Sequence, residues 1–213
     1  VMIKDIFTGS SGSLKNINEG VENYFTIMGN EMFFTAISSS TVGYELWKTD
    51  GTTEGTVMVK DINALNGSDI ENMTAIGNDL YFQANDGVNG EELWKSDGTL
   101  QGTVMVKDIN PTGDSSPEDI TVVGGVLYFE ADDGANGREL WKSDGTTEGT
   151  VMVKDINPAG SSYVEGSIIL GNNLYFVAYD DTNGYELWKS DGTAGGTVMV
   201  KDINKSGDSS VLV

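Results

Sequence analysis

Short apolar runs alternate with turn-forming segments along most of the chain. The stretch from residue 119 to 156 is typical, with apolar runs separated by segments rich in Gly, Asp, Asn, Ser and Thr. The runs occupy residues 120–123, 126–131, 138–142 and 150–156. Runs of this length between turn signals predict short β-strands. The two-residue link Gly124-Gly125 suits a tight hairpin, because glycine reaches positive φ without steric cost.

Both alternating sets of side chains within these runs are apolar or aromatic. Leu127-Tyr128-Phe129 and Val151-Met152-Val153 show the pattern. A sheet with one solvated face alternates between apolar and polar residues, whereas a sheet covered on both faces does not. The pattern therefore predicts sheets that are sandwiched between neighbouring sheets.

The same pattern returns with a period of 47 residues. The sequence Glu-Leu-Trp-Lys begins at Glu45, Glu92, Glu139 and Glu186. The run Val-Met-Val-Lys-Asp-Ile begins at Val57, Val104, Val151 and Val198, and a near-copy begins at Val1. The first repeat is longer than the others, with its extra residues between Ile6 and Tyr24.

Four antiparallel strands in about 40 to 50 residues is the size of a propeller blade. We therefore predict an all-β fold, a β-propeller or part of one, built from four-stranded antiparallel blades of 47 residues. A β-solenoid is the runner-up, although its coils are typically shorter than this repeat. Tandem sandwich domains need about 100 residues each, roughly twice the length of one repeat.

The period also predicts the boundaries of the blades. They are 1–6 as the outer strand of a preceding blade, 7–62 as a first blade with an insertion, further blades at 63–109, 110–156 and 157–203, and 204–213 as the start of another repeat or a tail. Either four blades close into a ring, or the chain is part of a larger ring. The strand at residues 1–6 favours the larger ring, because it has no evident role in a ring of four. Since the chain begins inside a repeat, we interpret it as a processed product or a fragment.

Composition excludes several classes of function. The chain has no cysteine and no histidine, so it can form no disulfide, no thiolate or imidazole metal site and no histidine-dependent catalytic set. Its 33 acidic and 12 basic residues give a net charge of −21, which repels nucleic acid and anionic membranes. No stretch approaches the ~20 apolar residues that span a bilayer. We predict no nucleic-acid partner and no direct membrane insertion, and cations as the natural counter-partners.

The acidic turn between the second and third strands is the strongest candidate for chemistry. The candidate metal ligands are Asn85, Asp86, Asn89, Asp132, Asp133, Asn136, Asp180, Asp181 and Asn183. Calcium takes six to eight oxygen ligands from carboxylates, amides and carbonyls, and a glycine-bent loop can bring several of these together. The alternative is that Asp and Asn are simply good turn formers. The first repeat is an internal control, because its equivalent residues 37–43 contain no carboxylate.

Three other recurring positions are predicted to have structural roles. The tryptophans are expected to pack between blades, and they are Trp47, Trp94, Trp141 and Trp188. The aspartates before Gly-Thr are expected to cap a turn, and they are Asp50, Asp97, Asp144 and Asp191. The lysine of each Lys-Asp pair is expected to pair across strands with the glutamate of Glu-Leu-Trp. These lysines are Lys60, Lys107, Lys154 and Lys201.

The chain resembles a known family of bacterial repeat proteins. Glu-Leu-Trp-Lys-Ser-Asp-Gly-Thr occurs three times and Glu-Leu-Trp-Lys-Thr-Asp-Gly-Thr once, each followed by Gly-Thr-x-x-Val-Lys-Asp-Ile. On these motifs the chain is similar to the ELWxxDGT-repeat family, and the order of its strands is similar to kelch-like propeller blades. The resemblance implies a large secreted or cell-surface protein. It carries over no catalytic residue.

These observations favour a non-catalytic structural or adhesive repeat module of an extracellular or cell-surface protein, stabilised by calcium if the acidic turns bind it. Because most acidic positions recur in several repeats, whereas an active site needs one asymmetric set of groups, we predict that the chain is not an enzyme.

Two other functions are kept as alternatives. The first is a multivalent carbohydrate-binding propeller, in which Tyr44 and Tyr185 stack on sugars, although Glu91 and Arg138 replace them in the other repeats. The second is a propeller-scaffold hydrolase or lyase with its site at the first-repeat insertion. The predicted partners are a surface glycan, a protein, or a second copy that pairs with the edge strands at 1–6 or 209–213.

Overall fold

The computed structural model describes residues 4–6, 25–37, 39 and 43–203. Within these residues the regular structure is entirely β, and sixteen strands form four antiparallel sheets of four strands each. The prediction of an all-β chain with four-stranded antiparallel sheets is confirmed. The insertion at residues 7–24 and the segment 204–213 lie outside the described residues.

Each sheet uses one copy of the repeat, and its strands pair in chain order. The first sheet contains β1 (Phe25–Met28), β2 (Glu31–Ile37), β3 (Tyr44–Thr49) and β4 (Val57–Lys60). The second contains β5 (Glu71–Ile76), β6 (Asp79–Asn85), β7 (Glu91–Ser96) and β8 (Val104–Lys107). The third contains β9 (Glu118–Val123), β10 (Val126–Asp132), β11 (Arg138–Ser143) and β12 (Val151–Lys154). The fourth contains β13 (Glu165–Leu170), β14 (Asn173–Asp180), β15 (Gly184–Ser190) and β16 (Val198–Lys201).

The chain divides into two compact units, Val1–Asp108 and Ile109–Val213. Each unit contains two sheets that share one apolar core. In the first unit the core joins Phe33, Leu46, Val59 and Ile62 to Leu80, Phe82, Ala84 and Trp94 of the second sheet. In the second unit it joins Tyr128, Leu140, Val153 and Ile156 to Leu174, Phe176, Ala178 and Trp188 of the fourth sheet. Trp94 and Trp188 therefore pack between sheets, as the repeats predict.

The repeated lysine reaches forward to the next sheet. Lys60 Nζ donates to the backbone carbonyl of Thr103 at 2.7 Å and lies 5.6 Å from the ring centre of Trp94. Lys154 makes the same contacts in the second unit, with Thr197 O at 2.9 Å and Trp188 at 5.6 Å. The prediction that these lysines pair across strands with the repeated glutamate is wrong for Lys60 and Lys154. The last strand of each sheet is an edge, so its lysine reaches the neighbouring sheet instead.

The repeated glutamate is one of the most deeply buried groups in the chain. Glu45 and Glu139 are both 0% exposed. Glu45 Oε2 accepts a hydrogen bond from the backbone N–H of Ile62 at 2.8 Å, and Glu139 Oε2 accepts one from Ile156 at 2.8 Å. Both isoleucines lie just past the fourth strand of their sheet, so the carboxylate fixes the point where the chain leaves one sheet for the next.

A buried serine fastens the following linker to the same sheet. Ser68 donates its backbone N–H and its hydroxyl to the carbonyl of Tyr44, both at 3.0 Å, and its own carbonyl accepts from Asn85 N at 2.8 Å. Ser162 repeats this arrangement with Arg138 O and Tyr179 N. The linker within each unit is thereby hydrogen-bonded to the sheet before it and to the sheet after it.

The turn between the third and fourth strands is closed by its aspartate. Asp144 Oδ1 accepts from Thr146 N at 2.9 Å and from Thr146 Oγ1 at 2.6 Å, and Thr146 Oγ1 accepts from Gly149 N at 2.9 Å. The same contacts recur at Asp50, Asp97 and Asp191. The prediction that these aspartates cap the turn is confirmed.

Gly149→Ala should destabilise the protein, because a Cβ at this position would overlap the Asp144 carboxylate. Either the backbone or the capping carboxylate must move, at a cost of about 1–3 kcal/mol in the free energy of unfolding. Gly160→Ala is the matched control, because nothing lies within 4 Å of a Cβ built there. Denaturant unfolding compares the two. Equal effects of the two substitutions would contradict the assigned role of the turn.

The buried glutamates should make stability depend on pH. Burial raises the pKa of Glu45 and Glu139 from 4.5 to about 7, although hydrogen bonds from backbone N–H groups lower it in part. Because the folded pKa is raised, the stabilisation is complete below pH 4.5 and is lost as the pH rises through 7. The loss is on the order of 3 kcal/mol per glutamate.

The free energy of unfolding, measured between pH 4.5 and 8, should therefore fall steeply for the unmodified chain. The fall should be much smaller for the double variant Glu45→Gln, Glu139→Gln. The exposed Glu148→Gln substitution should leave it unchanged. Identical pH profiles for all three proteins would show that these carboxyl groups do not titrate in this range.

Candidate functional site

Surface recesses lie at one end of the sheets, between the linker and the loop that joins the second and third strands. The recess of the second sheet has a volume of about 420 Å³ and is lined by Asn63, Asn66, Asp69, Asn85 and Val88, among others. The recess of the fourth sheet, also about 420 Å³, is lined by Asn157, Pro158, Asp180, Asp181 and Asn183, among others. Of the predicted metal ligands, Asn85 borders the first of these open recesses, and Asp180, Asp181 and Asn183 border the second.

The predicted ligands of the second and third repeats are hydrogen-bonded within their own loops. Asp86 Oδ1 accepts from the backbone N–H groups of Val88 at 2.9 Å and Asn89 at 2.8 Å, and Asp86 Oδ2 accepts from Asn89 Nδ2 at 2.7 Å. Asp133 makes the same three bonds with Ala135 and Asn136. Each of these aspartates therefore acts as a turn former.

The residues before these aspartates also bond the loop. Asn85 Oδ1 accepts from Gly87 N at 2.7 Å, and Asp132 Oδ1 accepts from Gly134 N at 2.6 Å. Both loops are therefore closed by two successive side chains.

The loop of the fourth repeat keeps one of its two aspartates in this role. Asp180 Oδ1 accepts from Thr182 N and Asn183 N, both at 2.8 Å, and Asn183 Nδ2 also donates to the carboxylate. Asp181 occupies the position of Gly87 in the second repeat, and it is exposed. The three loops therefore share one Asp and Asn pair, and the other predicted ligands are not equivalent.

Hydrogen bonds set the charge state of the shared aspartate. Partial desolvation by itself raises the pKa of Asp86, but bonds from the backbone of Asn89 and Val88 and from the Asn89 side chain outweigh it and lower the pKa below its ordinary value. The pKa of Asp133 is lowered in the same way. Both carboxylates are ionised at neutral pH, and their negative charge is already directed at N–H donors.

The hydrogen bonds within these loops favour the turn-forming alternative over calcium binding. In the described part of the chain no three acidic side chains are grouped in an arrangement that could hold a metal ion. The loop of the first repeat, chosen as a control, lies largely outside the described residues.

A second set of residues at the same end differs from repeat to repeat, and the sequence analysis missed it as a set. These residues are Asp69, Asn85 and Glu91 in the second repeat, Ser116, Asp132 and Arg138 in the third, and Tyr163, Tyr179 and Tyr185 in the fourth. A search for the positions at which otherwise near-identical repeats differ would have found them.

The three sets have different chemistry. In the third repeat Arg138 bonds Glu130 and Glu118, each at 2.7 Å. In the second, Gln83 Nε2 donates to Glu91 Oε2 at 3.0 Å. The fourth repeat carries an aromatic cluster instead, with ring centres 5.1 Å apart for Tyr179 and Tyr185 and 6.5 Å apart for Tyr163 and Tyr185.

The first residue of each set has a left-handed backbone. Its φ is 46° at Asp69, 42° at Ser116 and 48° at Tyr163. A non-glycine residue is uncommon in this region, and a bulky one such as tyrosine is disfavoured. The Tyr163 side chain is 49% exposed, so packing in the core does not account for this conformation. The linker therefore has a left-handed residue at the same position before each of these three sheets, and it is a disfavoured one at Tyr163.

None of the described residues lies in a helix that is long and apolar enough to cross a membrane. No protein-family model matches the chain, and no curated protein matches it.

The chain is similar to several solved structures in fold. A puromycin hydrolase aligns over 80% of this chain and 27% of its own chain, with a TM-score of 0.54 and 14% sequence identity. The acylaminoacyl peptidase of Pyrococcus horikoshii aligns over 84% of this chain and 27% of its own chain, with a TM-score of 0.52 and 14% sequence identity. A prolyl endopeptidase aligns over 80% of this chain and 24% of its own chain, with a TM-score of 0.51 and 15% sequence identity. The matched regions are β-propeller domains. This chain therefore spans about a quarter of the length of these enzymes.

These neighbours correct the function predicted from the sequence. A non-catalytic structural or adhesive module was expected, whereas the matched regions are the propeller domains of hydrolytic enzymes. Near-identity of the repeats led to that prediction, because it indicates a regular scaffold. It does not indicate what the scaffold serves.

Calcium should raise the midpoint of thermal unfolding no more than magnesium does, because the loop carboxylates are already bonded to their own N–H groups. The test compares the chelated protein with and without millimolar Ca²⁺ or Mg²⁺, since binding to the native state raises the midpoint. A rise specific to calcium that disappears in Asp86→Asn and Asp133→Asn would instead establish an ion site in these loops.

Proposed function

We propose that this chain is a β-propeller, or a segment of one, that serves as the scaffold domain of a hydrolase acting on peptide or amide bonds. The observation that carries the proposal is the match of its four sheets to the propeller domains of such enzymes. The four-stranded sheets and their face-to-face packing within each unit support the propeller architecture.

The reacting groups are proposed to come from another domain of the same polypeptide. The chain has no histidine and no cysteine, so it cannot supply a Ser-His or Cys-His pair. The serines of the Ser-Asp-Gly-Thr turns are buried against threonine hydroxyls, as in the 2.7 Å contact between Ser143 Oγ and Thr150 Oγ1. These serines hold the turn and face no open recess.

The variable end of the sheets is proposed to face the substrate or the catalytic domain. Recognition of one substrate needs an asymmetric set of groups, and within the second unit the sets at Ser116 and Tyr163 already differ in chemistry. The tyrosine cluster of the fourth repeat offers aromatic faces for a peptide chain, since such side chains give large contact areas at low entropic cost. The opposite end, with the repeated Asp-Gly-Thr turns, is the constant part of the scaffold.

Membership of the ELWxxDGT-repeat family and a secreted or surface location remain predictions from the sequence. So does the number of blades in the complete ring. A hydrolase carried on such a propeller is compatible with either a closed ring of four or a larger ring.

The test is the hydrolysis of peptide p-nitroanilides by the natural polypeptide that contains this chain. We expect hydrolysis by that polypeptide and none by the chain alone. The double variant Tyr163→Ala, Tyr185→Ala should lower kcat/KM by about tenfold or more, as loss of aromatic anchors does at interfaces. Its thermal midpoint should change little.

Glu148→Gln, on the exposed turn at the constant end, is the matched control and should leave kcat/KM unchanged. A natural polypeptide that cleaves no peptide or amide bond would overturn the hydrolase proposal. Equal effects of the tyrosine and Glu148 variants would overturn the assignment of the variable end.

A further inference from the structure

In each unit, one face of the leading sheet is covered by the sheet that follows it. On the third sheet this face carries Leu140, Val153 and Ile156, which are 0%, 6% and 6% exposed and pack against the fourth sheet. On the first sheet the same positions are Leu46, Val59 and Ile62, which pack against the second.

The corresponding face of the fourth sheet is open. Val200 and Ile203 occupy the positions of Val153 and Ile156, but they are 45% and 61% exposed. Leu170 is 67% exposed, whereas its counterpart Val123 packs against the fourth-sheet core. Exposed apolar residues grouped on one face mark an interaction surface. Leu187 is half-buried, whereas its counterpart Leu140 is fully buried. We name Leu170, Leu187, Val200 and Ile203 the open face.

Lys201, next to the open face, is also positioned to donate a hydrogen bond to a partner. Lys154 and Lys60 each donate to a threonine carbonyl of the next sheet. Lys201 is their equivalent on the fourth sheet, and its side chain is exposed. The lysine of the open face is therefore positioned for a carbonyl that a following sheet would present.

The sheet that would fit this face is defined by the pairs already present. The covering sheet presents a leucine, a phenylalanine, an alanine and a tryptophan, as Leu174, Phe176, Ala178 and Trp188 do. The first sheet presents the matching surface with Phe34, Ala36 and Trp47, on which Ile6 packs. Lys4 also donates to Thr56 O at 2.7 Å, as Lys60 does to Thr103 O. Even the short Lys4-Asp5-Ile6 segment, which forms no strand, thus makes the same contacts with this surface.

The sequence beyond the fourth sheet favours the same partner. Residues 204–210 read Asn-Lys-Ser-Gly-Asp-Ser-Ser, which matches the linker Asn-Pro-Thr-Gly-Asp-Ser-Ser at 110–116. That linker precedes the third sheet.

We propose that the open face of the fourth sheet binds a further copy of this repeat. The incoming sheet covers Leu170, Leu187, Val200 and Ile203 with its leucine, phenylalanine and tryptophan, and its threonine carbonyl accepts from Lys201. This surface differs from the edge strands predicted from the sequence, because it buries side chains of a sheet face rather than extending a ladder. It would be present whether or not the chain belongs to a hydrolase.

The experiment appends a copy of residues 120–156 directly after Val213, which continues the repeat in register. We expect the thermal midpoint to rise by several degrees, and the amides of β16 to gain about tenfold or more in protection from hydrogen exchange. Val200→Lys should abolish both gains. Val198→Lys should not, because the equivalent Val151 is 37% exposed even on the covered third sheet. No gain on extension, or equal losses in the two variants, would overturn the proposal.

A second comparison uses the unextended chain and does not depend on how the appended repeat folds. Val153→Lys should lower the thermal midpoint by roughly 10 °C or more, because it buries a charge without a partner. Val200→Lys should lower it by no more than about 2 °C, as a surface substitution does. Equal, large decreases would show that the face is already covered in the protein and would refute the proposal.

Discussion

The hydrogen bond between a buried glutamate and the N–H that follows the fourth strand is the interaction on which the array depends. Glu45 with Ile62, and Glu139 with Ile156, fix the direction in which the chain leaves one sheet. The linker serine then fixes where the next sheet starts. Both groups are buried, so neither can exchange its partner for water without a cost of about 1–3 kcal/mol. The isoleucine is thereby held in the core that the next sheet completes.

This arrangement separates the constant and variable parts of the repeat. Packing of one sheet on the next requires the same leucine, valine, isoleucine and tryptophan each time, which accounts for the near-identity of the repeats. The linker and the adjacent loop lie at one end of the sheet, beyond these contacts. Residues there can change from Asp69 to Ser116 to Tyr163 without disturbing the core. A scaffold that carries recognition residues needs this division, and it is the physical basis of the proposed role in a hydrolase.

Much of the fold could be predicted because the same sequence pattern occurs in four repeats, so that each strand and turn is supported by four copies. The strands, the turn-capping aspartates and the packing of Trp94 and Trp188 follow from local pattern and period. The partner of Lys60 and the burial of Glu45 could not be predicted, because both depend on how two sheets meet rather than on residues near in sequence. The function was mispredicted for a related reason: regular repeats identify a scaffold, and what it serves depends on the positions that break the pattern.

The most direct test of this account is native-state hydrogen exchange at three backbone amides. All three N–H groups are bonded to buried glutamates, at 2.8 Å for Ile62 and Ile156 and at 3.2 Å for Ile203. Ile62 and Ile156 are themselves buried, whereas Ile203 lies on the open face and is 61% exposed. The account predicts that the first two exchange only on global unfolding, and that Ile203 exchanges much faster. Exchange of Ile62 and Ile156 as fast as that of the exposed turn amide of Val88 would contradict it.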